Sequence, residues 1–203
     1  LSTHMPESTL AFLRHWAHTP LYVRLQKEWH MLQAYKEAWA KAPYAPLFVT
    51  VDALLRCHAK GQGHVLLIQR GHAPGVGLWA LPGGFLEQRD SLWQSCVREL
   101  REETCSSISE ADLLAAVQAV QVFDHPDRSL RGRTITHVHY LDLGMQPALP
   151  PVQGADDAAL ARWVPIVDLA QMEGEFFEDH FQILCQFLPI TLIHGEQPAR
   201  QVA

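Results

Sequence analysis

Apolar residues between positions 6 and 42 recur at steps of three and four: Leu10, Leu13, Trp16, then Leu21, Leu25, Trp29, Leu32, Tyr35 and Trp39. That spacing is helical, and Pro20 divides it into two helices. Their tryptophan-bearing face predicts docking on the body of the protein or on another chain. After Pro43-Tyr44-Ala45-Pro46 the rhythm changes. Leu47 to Arg56 and His64 to Arg70 are short β-rich runs joined by Lys60-Gly61-Gln62-Gly63, which predict a hairpin or neighbouring strands. A loop with Pro74 and Gly75, a short apolar run at Leu78 to Leu81 and a Pro82-Gly83-Gly84 turn come next. The pattern then predicts a helix over 91–104, strands over 114–123, 133–143 and 162–166, and a closing helix over 178–188. Strands interleaved with helices make a mixed α/β body from about residue 44 to 195. A helical extension over 1–43 precedes it and a flexible tail over 196–203 follows.

Composition narrows the function classes. Of 203 residues 48% are hydrophobic and 19% charged, with 22 acids against 16 bases and a formal charge of −6. That hydrophobicity excludes intrinsic disorder, and the acidic balance excludes a strongly basic nucleic-acid binder. No apolar stretch approaches the roughly 20 residues a bilayer needs, and no basic-then-apolar leader opens the chain. Neither nucleic acid nor membrane is an expected partner, and the cytoplasm is the expected location. Cys57, Cys96, Cys105 and Cys185 lack the CxxC pairing of zinc or redox sites and read as reduced thiols.

The charge is unevenly placed. Residues 87–110 hold six acids and three bases, half of the chain's excess. On a helix, Glu99, Glu102 and Glu103 share an arc of about 100°, while Trp93, Cys96, Val97 and Leu100 occupy another. Like charges at this spacing repel unless something cationic neutralises them. Surface pairing with Arg98 and Arg101 is one solution. A hard divalent cation is the other, favoured because the nearby Pro-Gly-Gly segment brings backbone carbonyls to the carboxylates. Arg128, Arg131 and Arg133 make residues 122–140 net positive, and guanidinium forks match phosphate oxygens. Arg70, at the end of a strand, is a fourth candidate. The alternative for each is solvation of a turn or pairing with Asp124 and Asp127. His137 and His139 share one side of a strand without a third ligand and read as packed or solvated residues.

The run from Gly84 to Ser106 resembles the Nudix box, in which a Gly, a Glu and an Arg-Glu-apolar-x-Glu-Glu-x-Gly-apolar segment stand at fixed spacing. Gly84, Arg98, Glu99, Leu100, Glu102 and Glu103 match. Asp90 stands where Glu is usual, Cys105 replaces the final Gly and Ser106 the final apolar residue. Asp90 can still pair with Arg98, whereas Cys105 disfavours a left-handed helix cap, so a differently shaped helix end is expected. Residues 42–51, 77–85, 123–137 and 154–165 extend the resemblance to the ADP-ribose pyrophosphatase domain of bifunctional nicotinamide mononucleotide adenylyltransferase/Nudix proteins, over about residues 30–190.

The resemblance implies a Nudix fold, a mixed β-sheet sandwiched between helices, and Mg2+-dependent hydrolysis of ADP-ribose to AMP and ribose 5-phosphate, with Mn2+ as a substitute cofactor. It implies Glu99 and Glu103 as main metal ligands, Glu102 as a shared ligand or partner of Arg98, and the Gly83 carbonyl completing the set. The general base is expected on the loop before Trp163, at Asp156 or Asp157, with Glu87 and Glu102 as fallbacks. A homodimer through the N-terminal helices and an adenylyltransferase domain in a longer parent chain are the partners implied. The transferase's own His-x-Gly-His signature is absent, since Gly61-Gln62-Gly63-His64 has the wrong first residue, so adenylyl transfer is not expected. The competing expectation is a Nudix-like sensor that binds ADP-ribose without cutting it. The intact box argues against it, as do the roughly 15 residues after Leu188, short for a winged helix. Another nucleoside diphosphate derivative is a third possibility.

Overall fold

A computed structural model describes residues 16–41 and 46–190. The expected first helix therefore lies almost wholly outside the described residues, as do most of the Pro43–Pro46 change of rhythm and the expected tail. Helix α1 (Pro20–Ala40) starts where proline is tolerated best, in the first turn, and Thr19 Oγ1 accepts the Tyr22 N–H there at 3.2 Å. Strands β1 (Phe48–Ala59) and β2 (Gln62–Arg70) form the expected hairpin. Its loop is tighter than expected, two residues, Lys60 and Gly61, both at positive φ, the geometry that suits the right-handed strand twist.

The other elements follow in order: β3 (Trp79–Ala80), β4 (Gly83–Phe85), α2 (Leu92–Thr104), α3 (Glu110–Ala116), β5 (Val117–Phe123), β6 (Thr134–Met145), β7 (Ala158–Pro165), a 3-10 segment over Ile166–Glu175, and α4 (His180–Phe187). The sheet runs β3-β2-β1-β6-β5, with β4 added to β1 and β7 to β2. Only β1 and β6 pair in parallel; the other named pairs are antiparallel. Alternation along β1 feeds two cores. Val51, Ala53, Leu55 and Cys57 pack under α2 and α3, against Cys96, Val97, Leu100, Leu113 and Ala116. Leu54, with Val65, Leu67 and Val138, packs on the other face against Leu169, Phe181, Ile183 and Leu184. The mixed sheet is thus sandwiched between helices, as expected. Among the described residues no helix is long and apolar enough to cross a membrane.

Two expectations are corrected and one is narrowed. Residues 114–116 are helical rather than the start of a strand: Ser109 caps α3 by accepting the Asp112 N–H at 3.1 Å, and Leu113 and Ala116, three apart, bury one side of it. Of the two docking surfaces expected for the tryptophan-bearing helix, the body does not bury its apolar stripe, since Leu21, Leu25 and Trp29 stay exposed in the single chain. The end of α2 is left-handed after all: Cys105 sits at φ 49°, ψ 28° and donates its N–H to Arg101 O. An L side chain is strained there where glycine is not. Cys105→Gly is therefore expected to raise stability by about 0.5–1 kcal/mol in urea denaturation, the relieved strain exceeding glycine's extra unfolded-state entropy; a loss of stability would contradict this account.

Candidate active site

Pro82-Gly83-Gly84 is no simple turn. Gly83 and Gly84 pair with Asp52 and Val51 as strand β4, and neither has a positive φ. Both are needed for close approach. A Cβ on Gly83 would lie 2.2 Å from Val51 O and 2.5 Å from Asp52 Oδ1, and one on Gly84 would lie 2.4 Å from Glu99 Oε1. Leu86 donates to Val49 O and Ala53 to Pro82 O, so the Asp52–Gly83 pair falls between hydrogen-bonded pairs of the ladder. Gly83 then turns its N–H and C=O away from β1. The N–H goes to Glu103 Oε2 at 2.9 Å, which leaves the carbonyl on the carboxylate side as well.

Helix α2 supplies the acids because Ser91 and Gln94 form a capping box at its start and its apolar side is sunk in the core. Arg98 gathers them, at 3.0 Å from Glu99, 2.7 Å from Glu102 and 3.5 Å from Asp90. The expected Asp90–Arg98 pair is therefore present. Burial pushes the Glu103 carboxyl up to about 8, against the lowering effect of the Gly83 N–H. Burial raises Glu99 too, in spite of Arg98. Glu87 is exposed and points its N–H at Ser95 Oγ. The loop before β7 is strapped to the end of α2, Gln153 donating to Thr104 O at 2.9 Å and Ala155 to Glu103 O at 3.2 Å. This brings Asp156 near enough for its charge to raise the Glu99 pKa. Asp157 lies outward, 69% exposed and 3.7 Å from His72.

The opposite wall carries the arginines, two of them engaged with acids of this chain and two with backbone carbonyls. Arg128, its side chain 2% exposed, makes a two-pronged pair with Asp179 at 2.9 and 2.7 Å. Arg131 lies 3.6 Å from Glu178 and over the rings of Phe85 and Phe177. Arg70 stacks 4.2 Å above Phe177 and donates Nε to Pro74 O; burial, then the Arg131 charge, lower its pKa. Arg133 donates to Asp124 O at 2.5 Å, so it braces the turn. Arg128, Arg131 and Arg133 thus each have a partner within the chain, and Arg70, Arg128 and Arg131 line one recess with Gly83 and Gly84.

That recess also holds residues the sequence reading missed. Asp52 is buried, which raises its pKa to about 6, and it accepts a short hydrogen bond from Thr136 Oγ1. Its signal was an acid at the centre of an apolar strand, where charge is rarely buried without purpose. Phe177, Glu178 and Asp179 gave no local signal. His180 is fully buried, its pKa lowered to about 3 by burial, so the neutral ring accepts the Leu81 N–H at 3.0 Å through Nδ1. His139 packs beside Trp93, ring centroids 5.8 Å apart.

Among the described residues no three His, Cys, Asp or Glu side chains already converge as a metal cage. The donor chemistry nevertheless fits a hard divalent cation: Glu99, Glu103 and the Gly83 carbonyl offer only oxygen, and burial makes both carboxylates short of positive charge. The Arg128–Asp179 pair is structural in kind. Asp179→Ala is expected to lower stability by about 2–3 kcal/mol, because it strands a buried guanidinium; a loss under about 0.5 kcal/mol in chemical denaturation would show that the pair bears no such burden.

A family model described as the NUDIX domain matches residues 46–187. The chain is 31% identical to an ADP-ribose pyrophosphatase of Methanocaldococcus jannaschii over 141 residues, 69% of this chain and 72% of that protein. It is 28% identical to the ADPR responsive transcriptional repressor NtrR of Acinetobacter baylyi over 156 residues, 76% of this chain and 58% of the repressor. The crystal structure of a bifunctional NMN adenylyltransferase/ADP ribose pyrophosphatase from Francisella tularensis, complexed with AMP and a Mn ion, aligns with a TM-score of 0.80 at 41% identity. The alignment covers 88% of this chain and 52% of that one, so the chain spans about half the length of the Francisella protein. Since the family match takes in every element from β1 to α4, the chain belongs to the Nudix family.

Proposed function

We propose that this Nudix hydrolase splits the diphosphate of ADP-ribose, with a divalent cation, into AMP and ribose 5-phosphate. The observation that carries the reading is the facing of two walls: Glu99, Glu103 and the Gly83 carbonyl on one side, Arg70 and Arg131 over Phe177 on the other. The pyrophosphatase relative and the structural match to the Francisella protein support ADP-ribose as the substrate.

When bound, Mg2+ or Mn2+ supplies positive charge against the diphosphate and makes the attacking water a better nucleophile. Glu99, Glu103 and the Gly83 carbonyl would hold it, with Glu102 kept beside them by Arg98. Arg70 and Arg131 receive the phosphates, trading internal contacts for phosphate oxygens. Asp156 takes the proton of the water as its oxygen joins one phosphorus and the bridging oxygen leaves with the other. Arg128, through Asp179, positions the loop that carries Arg131. The Acinetobacter repressor favours one other reading, a domain that senses ADP-ribose without cutting it. In that case the wild-type chain binds ADP-ribose and releases no AMP.

A panel of ADP-ribose, NADH, sugar nucleotides and oxidised nucleotides, followed by phosphate-ester release with Mg2+, separates these readings. ADP-ribose is expected to be the best substrate. Asp156→Asn is expected to lower kcat about 100-fold with KM little changed, the usual size of a general-base contribution, and Asp157→Asn less than about tenfold. Equal, small losses in both would move the base to α2.

Cation binding should also report on Glu103. Its proton is held up to about pH 8 in the cation-free protein, and a cation must displace it. Calorimetric affinity for Mn2+ should therefore rise with pH below that value, by up to about tenfold per unit, and level off above it. An affinity flat between about pH 6 and 8 would contradict a Glu103 that must give up a proton to bind the cation.

A further inference from the structure

The recess between the two walls is small, about 30 Å3, and offers no room for the organic ends of a substrate. A second cavity, of about 740 Å3, opens beside it between α1 and the body. Arg128, Phe177 and Glu178 border both, so the two spaces adjoin through Phe177. One stripe of α1, spaced at three and four residues, forms its outer wall: Leu25, Glu28, Trp29 and Leu32. Glu28 holds that wall in place by accepting the Gly75 N–H at 2.9 Å and the Val76 N–H at 3.5 Å.

Trp29 stays 59% exposed although its neighbour Glu28 is anchored, because it borders open space rather than a packed core. Leu25, Trp29, Leu32 and Phe177 give the walls apolar surface, and Arg24, His125, Asp127 and Gln182 add polar groups. Arg128 offers a phosphate little there, since Asp179 already neutralises it. An aromatic ring gains a stacking surface, apolar walls and a few polar groups to orient it, in a volume typical of small-molecule sites.

We infer that this cavity receives the nucleobase of the substrate, with Trp29 of α1 as its stacking platform. The inference rests on the recess being the diphosphate site, because adjacency to it is what selects the base end of a nucleoside diphosphate over an unrelated aromatic compound. It gives α1 a part in substrate binding that neither its sequence pattern nor the box explains.

Calorimetry with AMP and with ribose 5-phosphate, on wild type, Trp29→Ala and Trp29→Phe, tests it. Trp29→Ala should weaken AMP about 5- to 150-fold, the range for removing an aromatic platform from under a base. Trp29→Phe should recover most of that loss. Ribose 5-phosphate, which has no base, should bind wild type and Trp29→Ala alike. The inference is overturned by equal AMP affinity in wild type and Trp29→Ala, by a parallel loss of ribose 5-phosphate, or by a wild type that does not bind AMP. AMP binding that depends on Trp29, in a chain that hydrolyses no nucleoside diphosphate, would support the subsite and sink the catalytic reading instead.

Discussion

Strand β4 lies against helix α2 only because Gly83 and Gly84 carry no side chains. A single methyl group on either would collide with the β1 backbone or with the Glu99 carboxylate. That contact sets the depth at which Glu103 is buried, gives it the Gly83 N–H as a partner and aims the Gly83 carbonyl along the same side. It also fixes how far Pro82 and Leu81 run along β1, where the His180 ring takes the Leu81 N–H. Close backbone approach is thus the constraint from which the geometry of the carboxylates, the recess and its floor all follow.

The two walls solve their electrostatics differently. Carboxylates on α2 are only partly neutralised, by one guanidinium shared among Asp90, Glu99 and Glu102. Burial of Glu103 with only the Gly83 N–H and the charge of Arg70 to offset it is costly, and proteins keep such an arrangement where a ligand relieves it. On the other wall Arg128 and Arg131 come with their own acids, Asp179 and Glu178. Arg70 has no ion pair of that kind; it rests on Phe177 and a carbonyl. One wall is thus left short of positive charge, while the other holds its arginines in place through neighbouring acids, a ring and a carbonyl.

How much of this was legible depended on whether the signal was local. The α2 carboxylates were readable because helix periodicity alone puts Glu99, Glu102 and Glu103 on one side, and Asp90 lies within reach of Arg98 from the same segment. Helix α3 was missed because Leu113 to Val117 is one continuous apolar run, which period cannot assign to helix or strand; the Ser109 cap decides it. The role of Gly83 and Gly84 was misread as a turn since the atoms that exclude a side chain belong to β1 and to Glu99, remote in sequence. Asp179 stands 51 positions from Arg128, and no pattern in the chain announces such a partner. Most strands and helices were legible from alternation and length and the sandwich from the resemblance to the Nudix box, whereas the strand order and the fate of each arginine required the folded molecule.

The strap from Gln153 and Ala155 to the last carbonyls of α2 is made of backbone hydrogen bonds. Its consequence is mechanical. The helix bearing Glu99 and Glu103 and the loop bearing Asp156 are clamped into one piece, so they cannot separate without breaking main-chain bonds. The facing loop, from Arg128 to Arg131, is joined to Glu178 and Asp179 through side chains. Side-chain contacts exchange far more readily than a backbone ladder. If the cleft widens to admit or release a ligand, the hinge is on the arginine side, and the acidic side is the fixed jaw.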